Sequence, residues 1–258
     1  TKTNTLNDIY TWNSCTDSYS TYIFGIGING GTKYIPSMQG FWVQAYGNNP
    51  VLKVTSAALK TTAQNLLKSN IANDSVNKVL RLNLNGDEIA IHLDSLATNN
   101  LDPLMDAPKF FSANSSVYSV MYSDSIKYAV NSLKDTDVVV PIDIRGSGIL
   151  NFNSVNTFLN QYSIFLKDNI TNTFNPITEG MQYNFSDSTL VTFNERFEIH
   201  FVKNIVTAIK SQTIPLPRIF RNYETITIIV PEGFEIPVKV QMFELMGKES
   251  YSGSDTDS

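Results

Sequence analysis

Alternation with a period of two runs through this chain and constrains its fold more than any other feature. In "RFEIHF" (196–201), Phe197, Ile199 and Phe201 alternate with Glu198 and His200. "VLRLNL" (79–84) puts Leu80, Leu82 and Leu84 on one face, with Arg81 and Asn83 on the other. "EIAIHL" (88–93) repeats the pattern with Ile89, Ile91 and Leu93. Successive side chains of a strand point to opposite faces, so each segment specifies a strand with one face on a core. "DIYTWN" (8–13), "GFWVQAY" (40–46), "VLKVTS" (51–56), "SVYSVMY" (116–122), "IKYAVNSL" (126–133), "DVVVPIDI" (137–144), "GILNFN" (148–153), "YSIFLKDN" (162–169) and "MQYNFS" (181–186) add further short strands. Clusters of Asn, Gly, Pro and Ser punctuate them. "GNNP" (47–50) reads as a hairpin connection and "IGINGGTK" (26–33) as a loop. One stretch breaks the pattern. "AALKTTAQNLLK" (57–68) has helix-favouring residues, with Leu59, Ala63, Leu66 and Leu67 on one face.

Many short strands, regular turns and one short helix specify an all-β chain, a β-sandwich or jelly-roll-like domain. At 258 residues it has room for one large or two modest domains. The texture changes after Lys203, where "SQTIPLPR" (211–218) resembles a linker. The expected division is a β domain over 1–203, a linker over 204–218 and a small partial β domain over 219–258, ending in a loose acidic tail. The chain opens on Thr1 without a Met or a signal peptide, and reads as a fragment or a processed product.

Composition narrows the partners. Hydrophobic residues make up 42% and charged residues 17%, which suits a folded domain with an Asn-, Ser- and Thr-rich surface. The net charge is −5 and there is no Lys/Arg block, so no nucleic-acid partner is expected and an anionic membrane surface is disfavoured. The apolar runs are too short for a membrane span. Cys15 is the single cysteine, which excludes an intrachain disulfide and a Cys-based zinc site; a small, partly buried residue is expected.

Catalytic signatures are sparse. The two histidines, His92 and His200, fall on the polar side of alternating strands and are expected at the surface. No G-x-S-x-G elbow and no H-E-x-x-H is present. "GIGING" lacks the spacing and the following helix of a phosphate loop. Asp102 and Asp106 are the best carboxylate pair for acid/base chemistry, although turn and capping roles suit their spacing better. No catalytic residue, metal or cofactor is expected. The aromatics number 12 Tyr, 15 Phe and 2 Trp. Trp12, Tyr19, Tyr22, Tyr34, Trp42 and Tyr46 crowd the first segment. Exposed, Trp12, Tyr22, Tyr34 and Trp42 make a sugar-stacking or partner-contacting platform; buried, they are core.

Read in order, "IYTWNSCTDSYSTY…GTKYIPSMQGFWVQA", "LRLNL", "LDPLMDAPKFFS", "VYSV", "VVVPIDI", "IFLKDNITNTFNPI", "YNFS" and "ERFEIHF" resemble the C-terminal β-rich region of large secreted surface proteins of the Bacteroidota. The resemblance spans about 9–201. In that family a sorting domain for type IX secretion follows. "ETITIIVPEG…VKVQMFELMGKES" is similar to its start, with Phe243, Leu245, Gly247 and Lys248 at the motif positions. The family's last two strands are not reached, so the signal is expected to be incomplete as given, and the first strands of the β domain are expected to be missing. The resemblance implies an extracellular or outer-surface location on a Gram-negative bacterium. The implied partners are type IX secretion components, other surface proteins or glycans. It also implies O-glycan attachment at Asp-Ser sites: Ser75, Ser95, Ser125 and Ser188, which otherwise read as plain polar turns. The function so implied is a non-catalytic structural or adhesive module, with a carbohydrate-binding module as the alternative.

Overall fold

The computed structural model describes residues 2–59, 78–114, 116–121, 126–186, 196–204, 218–222, 225–229, 238–243 and 249–255. The chain divides into two compact units, Thr1–Ile205 and Val206–Ser258.

The first unit opens with β1 (Lys2–Thr3), β2 (Ile9–Asn13), β3 (Ser18–Ile23), β4 (Ile26–Ile28), β5 (Phe41–Trp42) and β6 (Val51–Leu52). β7 (Val79–Leu84), β8 (Asp87–Asp94), β9 (Ala107–Pro108), β10 (Val117–Val120), β11 (Lys127–Lys134) and β12 (Val138–Ile144) follow. β13 (Gly148–Asn153), β14 (Tyr162–Asp168), β15 (Thr173–Pro176), β16 (Gln182–Phe185) and β17 (Phe197–Lys203) complete it. The described residues are all-β, with 3-10 turns at Ser56–Ala58 and Val155–Phe158. The expected helix over 57–68 does not start at Ala57. Ala57 and Ala58 lie in the first of these turns, Leu59 is extended, and 60–68 fall outside the described residues.

The large sheet runs β15-β14-β17-β12-β10-β11-β8-β7-β13-β16, with β9 also on β11. Its pairs are antiparallel except β11 with β8. The sheet curls until its two ends meet. Phe185 of β16 lies 5.1 Å from Phe197 of β17, and the Tyr183 hydroxyl of β16 donates to Asp168 of β14 at 3.0 Å. The core lies inside the curl. Leu80, Leu82, Leu84, Ile89, Ile91, Val140, Ile142, Leu150, Phe152, Leu166, Phe197 and Ile199 all reach it. These are the inward positions of the alternating pattern, buried because the concave face excludes water. Phe158, Tyr162 and Phe201 cluster at 5.6–6.4 Å and join the same core.

A second layer sits outside. The four-stranded sheet β4-β3-β2-β5 lays Tyr10, Ile23, Ile26 and Ile28 against Val79, Ala90, Ala107, Ala129 and Val130 of the large sheet. The outer faces of β7 and β8 are therefore largely covered. Arg81 is 4% exposed and forms an ion pair with Glu88 at 3.1 Å. Gly31 lies against β3, where a Cβ would meet the Thr21 carbonyl oxygen at 2.0 Å. Only glycine allows that approach.

In the second unit, β18 (Arg218–Asn222) and β19 (Thr225–Ile229) form one antiparallel pair. β20 (Val238–Phe243) and β21 (Glu249–Asp255) form another, with a shift of register at Met242/Phe243.

Candidate functional site

The small sheet brings aromatic side chains together by register. Trp12 pairs with Tyr19 across the β2–β3 hairpin, and Tyr10 pairs with Trp42 across β2–β5. Directly opposed residues share a face, so Tyr10, Trp12, Tyr19 and Trp42 lie on one side of the sheet. Tyr19 is the hub. Its ring meets Trp12 at 5.0 Å, Trp42 at 5.5 Å and Phe110 at 5.4 Å, all edge to face. Phe110 in turn stacks on Tyr10 at 3.9 Å. The ladder thus runs from the interlayer core to the rim at edge strand β5, where Trp42 is 43% exposed and Trp12 is half-buried.

Of the four contact residues expected from the sequence, the structure unites two. Trp12 and Trp42 join the ladder. Tyr22 pairs with Ile9 and so takes the opposite face, and Tyr34 lies in the following loop beside Lys33. Tyr19 and Phe110 complete the cluster. The hairpin register across "NSCTD" carries a signal for Tyr19; nothing local marks Phe110, which arrives from a distant segment.

At its buried end the ladder meets a carboxyl group. Asp8 is 0% exposed, and the Tyr10 hydroxyl lies 2.6 Å from its Oδ2 and 2.7 Å from the Pro108 carbonyl oxygen. A phenol has one proton to give. Both contacts are hydrogen bonds together when Asp8 keeps its own proton and donates to Tyr10, which then donates to Pro108. Burial pushes the Asp8 carboxyl above its usual range, against the opposing pull of the Tyr10 bond and the Lys2 charge. Burial and the Asp8 charge likewise drive the Tyr10 phenol upward.

Several other buried charges are committed to clamps. Lys109 meets Asp87 at 2.7 Å, while Asp87 also accepts from Asn29 and from the Ser116 and Val117 amides. Burial lowers the Lys109 pKa, with Asp87 pulling the other way. Arg196 meets the fully buried Asp168 at 3.1 Å and lies over Phe185 and Phe197. Burial opposes the Asp168 charge, but the bonds from Arg196, Ile170 and Tyr183 outweigh it and hold its pKa below the usual value. Lys78 and Tyr162 similarly outweigh burial at Asp135. The His200 bond, with Lys167 beside it, holds Glu198 at about 2.

Both histidines depart from expectation. His92 is 1% exposed and His200 is 5% exposed, because neither outer sheet face is open at these positions. Phe24 lies 5.9 Å from His92, and Phe174 lies 5.1 Å from His200. His92 Nδ1 lies 3.2 Å from the Ser132 hydroxyl, with Asp94 at 3.9 Å from Nε2. This is a Ser-His-Asp alignment in outline only. Ser132 is 0% exposed and donates to the Met105 carbonyl, so its oxygen faces no substrate. Asp106 accepts from the Asp102 and Ser132 amides, and Asp102 accepts from Leu104, which gives the pair turn-capping work. Cys15 is exposed, not partly buried.

Ser95 is exposed beside Asp94, whose carboxylate accepts from the Leu96 amide. Ser75, Ser125 and Ser188 lie outside the described residues, as do Leu245, Gly247 and Lys248. Phe243 lies in β20 opposite Glu249. Among the described residues no helix is long and apolar enough to cross a membrane. Among them, too, no group of three or more His, Cys, Asp or Glu is placed to hold a metal ion.

Comparison with curated proteins returns no match, and neither does comparison with solved structures. A family model matches residues 1–201, most of the chain. The chain therefore belongs to the domain family of unknown function DUF8693.

Proposed function

We propose that this chain is a non-catalytic structural or adhesive module of a cell-surface protein that a Gram-negative bacterium exports by type IX secretion. The observation that carries the reading is the use made of its buried charges. Asp87–Lys109, Asp168–Arg196 and Glu198–Lys167 each tie strand to strand or layer to layer, with their charges spent on one another. A catalytic acid or base keeps its charge available and its pKa near the working pH. The export route rests on the resemblance of the ordered sequence phrases to Bacteroidota surface proteins. Antibodies against residues 1–203 label intact cells of the source organism under this reading, and the label disappears when type IX secretion is disabled. Antigen confined to the periplasm or cytoplasm refutes it.

The Trp12–Tyr19–Trp42 ladder favours a second reading, a carbohydrate-binding module. An indole at an edge strand offers an apolar face on which a sugar ring can stack. Glycan-array binding that Trp42→Ala abolishes supports this reading, and an array with no binder removes it.

A further inference from the structure

A separate cavity of about 540 Å³ opens between the β2–β3, β7–β8 and β12–β13 turns and the loop before β10. That volume suits one or two sugar rings. Thr16, Ser18, Asn85 and Asn114 line it, with Asp87 and Arg145 as its charged groups.

The two charges differ in availability. Asp87 is 2% exposed, is neutralised by Lys109 at 2.7 Å and accepts from Asn29 and two backbone amides. Its lone pairs are taken and its charge is balanced. Arg145 forms no ion pair among the described residues. Its guanidinium lies over the Phe111 ring at 5.0 Å, and its backbone amide bonds Ser116 at 2.7 Å, which anchors it beside the cavity. A guanidinium stacked on a ring keeps its edge N–H groups free for the two oxygens of a carboxylate. Lys127 also lies over Phe111, at 5.5 Å, and adds a second positive charge nearby. The remaining lining residues are small, and Thr16, Ser18, Asn85, Asn114 and Ser116 among them carry hydroxyl or amide groups that suit ligand hydroxyls. Gly86 and Gly146, both with positive φ, leave open space where side chains would stand.

We infer that this cavity binds an acidic sugar of the hexuronate class, its carboxylate on Arg145 and its hydroxyls on the Asn, Ser and Thr side chains. No lining residue belongs to the aromatic ladder, so the inference stands apart from both functional readings.

The test is amide chemical-shift titration of the full chain with galacturonate, oligogalacturonate, galactose, acetate and a diglutamate peptide. Galacturonate shifts Gly86, Gly146 and Asn114, while galactose at the same concentration does not. Arg145→Gln weakens binding about tenfold or more, the loss of one charged hydrogen-bonding group, and Trp42→Ala leaves it unchanged. Arg145 is exposed, so the variant keeps its fold, which its unchanged amide spectrum outside the cavity verifies. Tighter binding of the oligosaccharide identifies a glycan end as the ligand; equal binding identifies the free sugar. Acetate or galactose binding as well as galacturonate overturns the inference. So does tighter binding of the diglutamate peptide, unchanged binding by Arg145→Gln, or the absence of any shift.

Discussion

Replacing Asp8 by asparagine changes how stability depends on pH, in a direction opposite to that of Asp135, Asp168 and Glu198. Asp8 is fully buried, with its Oδ2 2.6 Å from a tyrosine hydroxyl that also bonds Pro108. Burial raises its folded-state pKa above the usual value of 3.8. The folded chain therefore holds a proton that the unfolded chain releases, in the window from that value up to the folded pKa. Its contribution is fully present below the unfolded pKa and is lost as pH rises through the folded one. One proton sets the slope, at most about 1.4 kcal/mol of stability per pH unit. Lys2 and Tyr10 are the titratable groups that act on Asp8; burial lowers the Lys2 pKa against the pull of the Asp8 charge, and burial raises that of Tyr10. The Asp8→Asn side chain keeps the shape and can donate an amide hydrogen to Tyr10, but it has no proton to lose. Urea unfolding from pH 4 to 8, followed by tryptophan fluorescence, reads the effect. The two tryptophans, Trp12 and Trp42, both lie in the small sheet beside this site. The stability of the variant relative to the parent rises with pH across the window and levels off above it. A flat difference would mean that the carboxyl ionises at the same pH folded and unfolded, and the reasoning would be wrong.

Gly31→Ala drives a methyl group into the Thr21 carbonyl at 2.0 Å and destabilises the chain by about 1–3 kcal/mol or more, measurable by urea titration. Lys109→Met leaves Asp87 charged and buried without its partner. A loss of about 3–5 kcal/mol follows, and Asp87→Asn added to it recovers part of the loss. Glu198 is held at about 2, below its usual 4.5, so its stabilising contribution is present above 4.5 and is lost as pH falls toward 2. Glu198→Gln removes that acid-limb loss, which acid unfolding of the two proteins side by side detects.

The strands of the large sheet and their inward faces were largely legible. Leu80, Leu82, Leu84, Ile89, Ile91, Phe197 and Ile199 all sit where the alternation put them, at 0% exposure. His92 and His200 show the limit of that reading. Their place opposite the apolar face was right, but the conclusion that this face meets water was not. Alternation states which side chains share a face and is silent on whether that face is covered. The candidate site divides the same way. Trp12 and Trp42 could be singled out as aromatics in strands, and hairpin pairing could have added Tyr19. Tyr22 went to the opposite face through one residue of register, and Phe110 came from almost a hundred residues away.

By itself, then, the sequence determined the strands, their inward faces and the all-β class, because these follow from local backbone geometry and period-two patterning. Tertiary structure alone decided that the sheet curls, that a second sheet covers β7 and β8, and that Asp168 finds Arg196 and Asp8 finds Tyr10 and Pro108. It also decided that Arg145 stands at a cavity without an ion pair among the described residues. Each of these depends on contacts between distant segments, and the charge on a buried group depends on the water that those contacts remove.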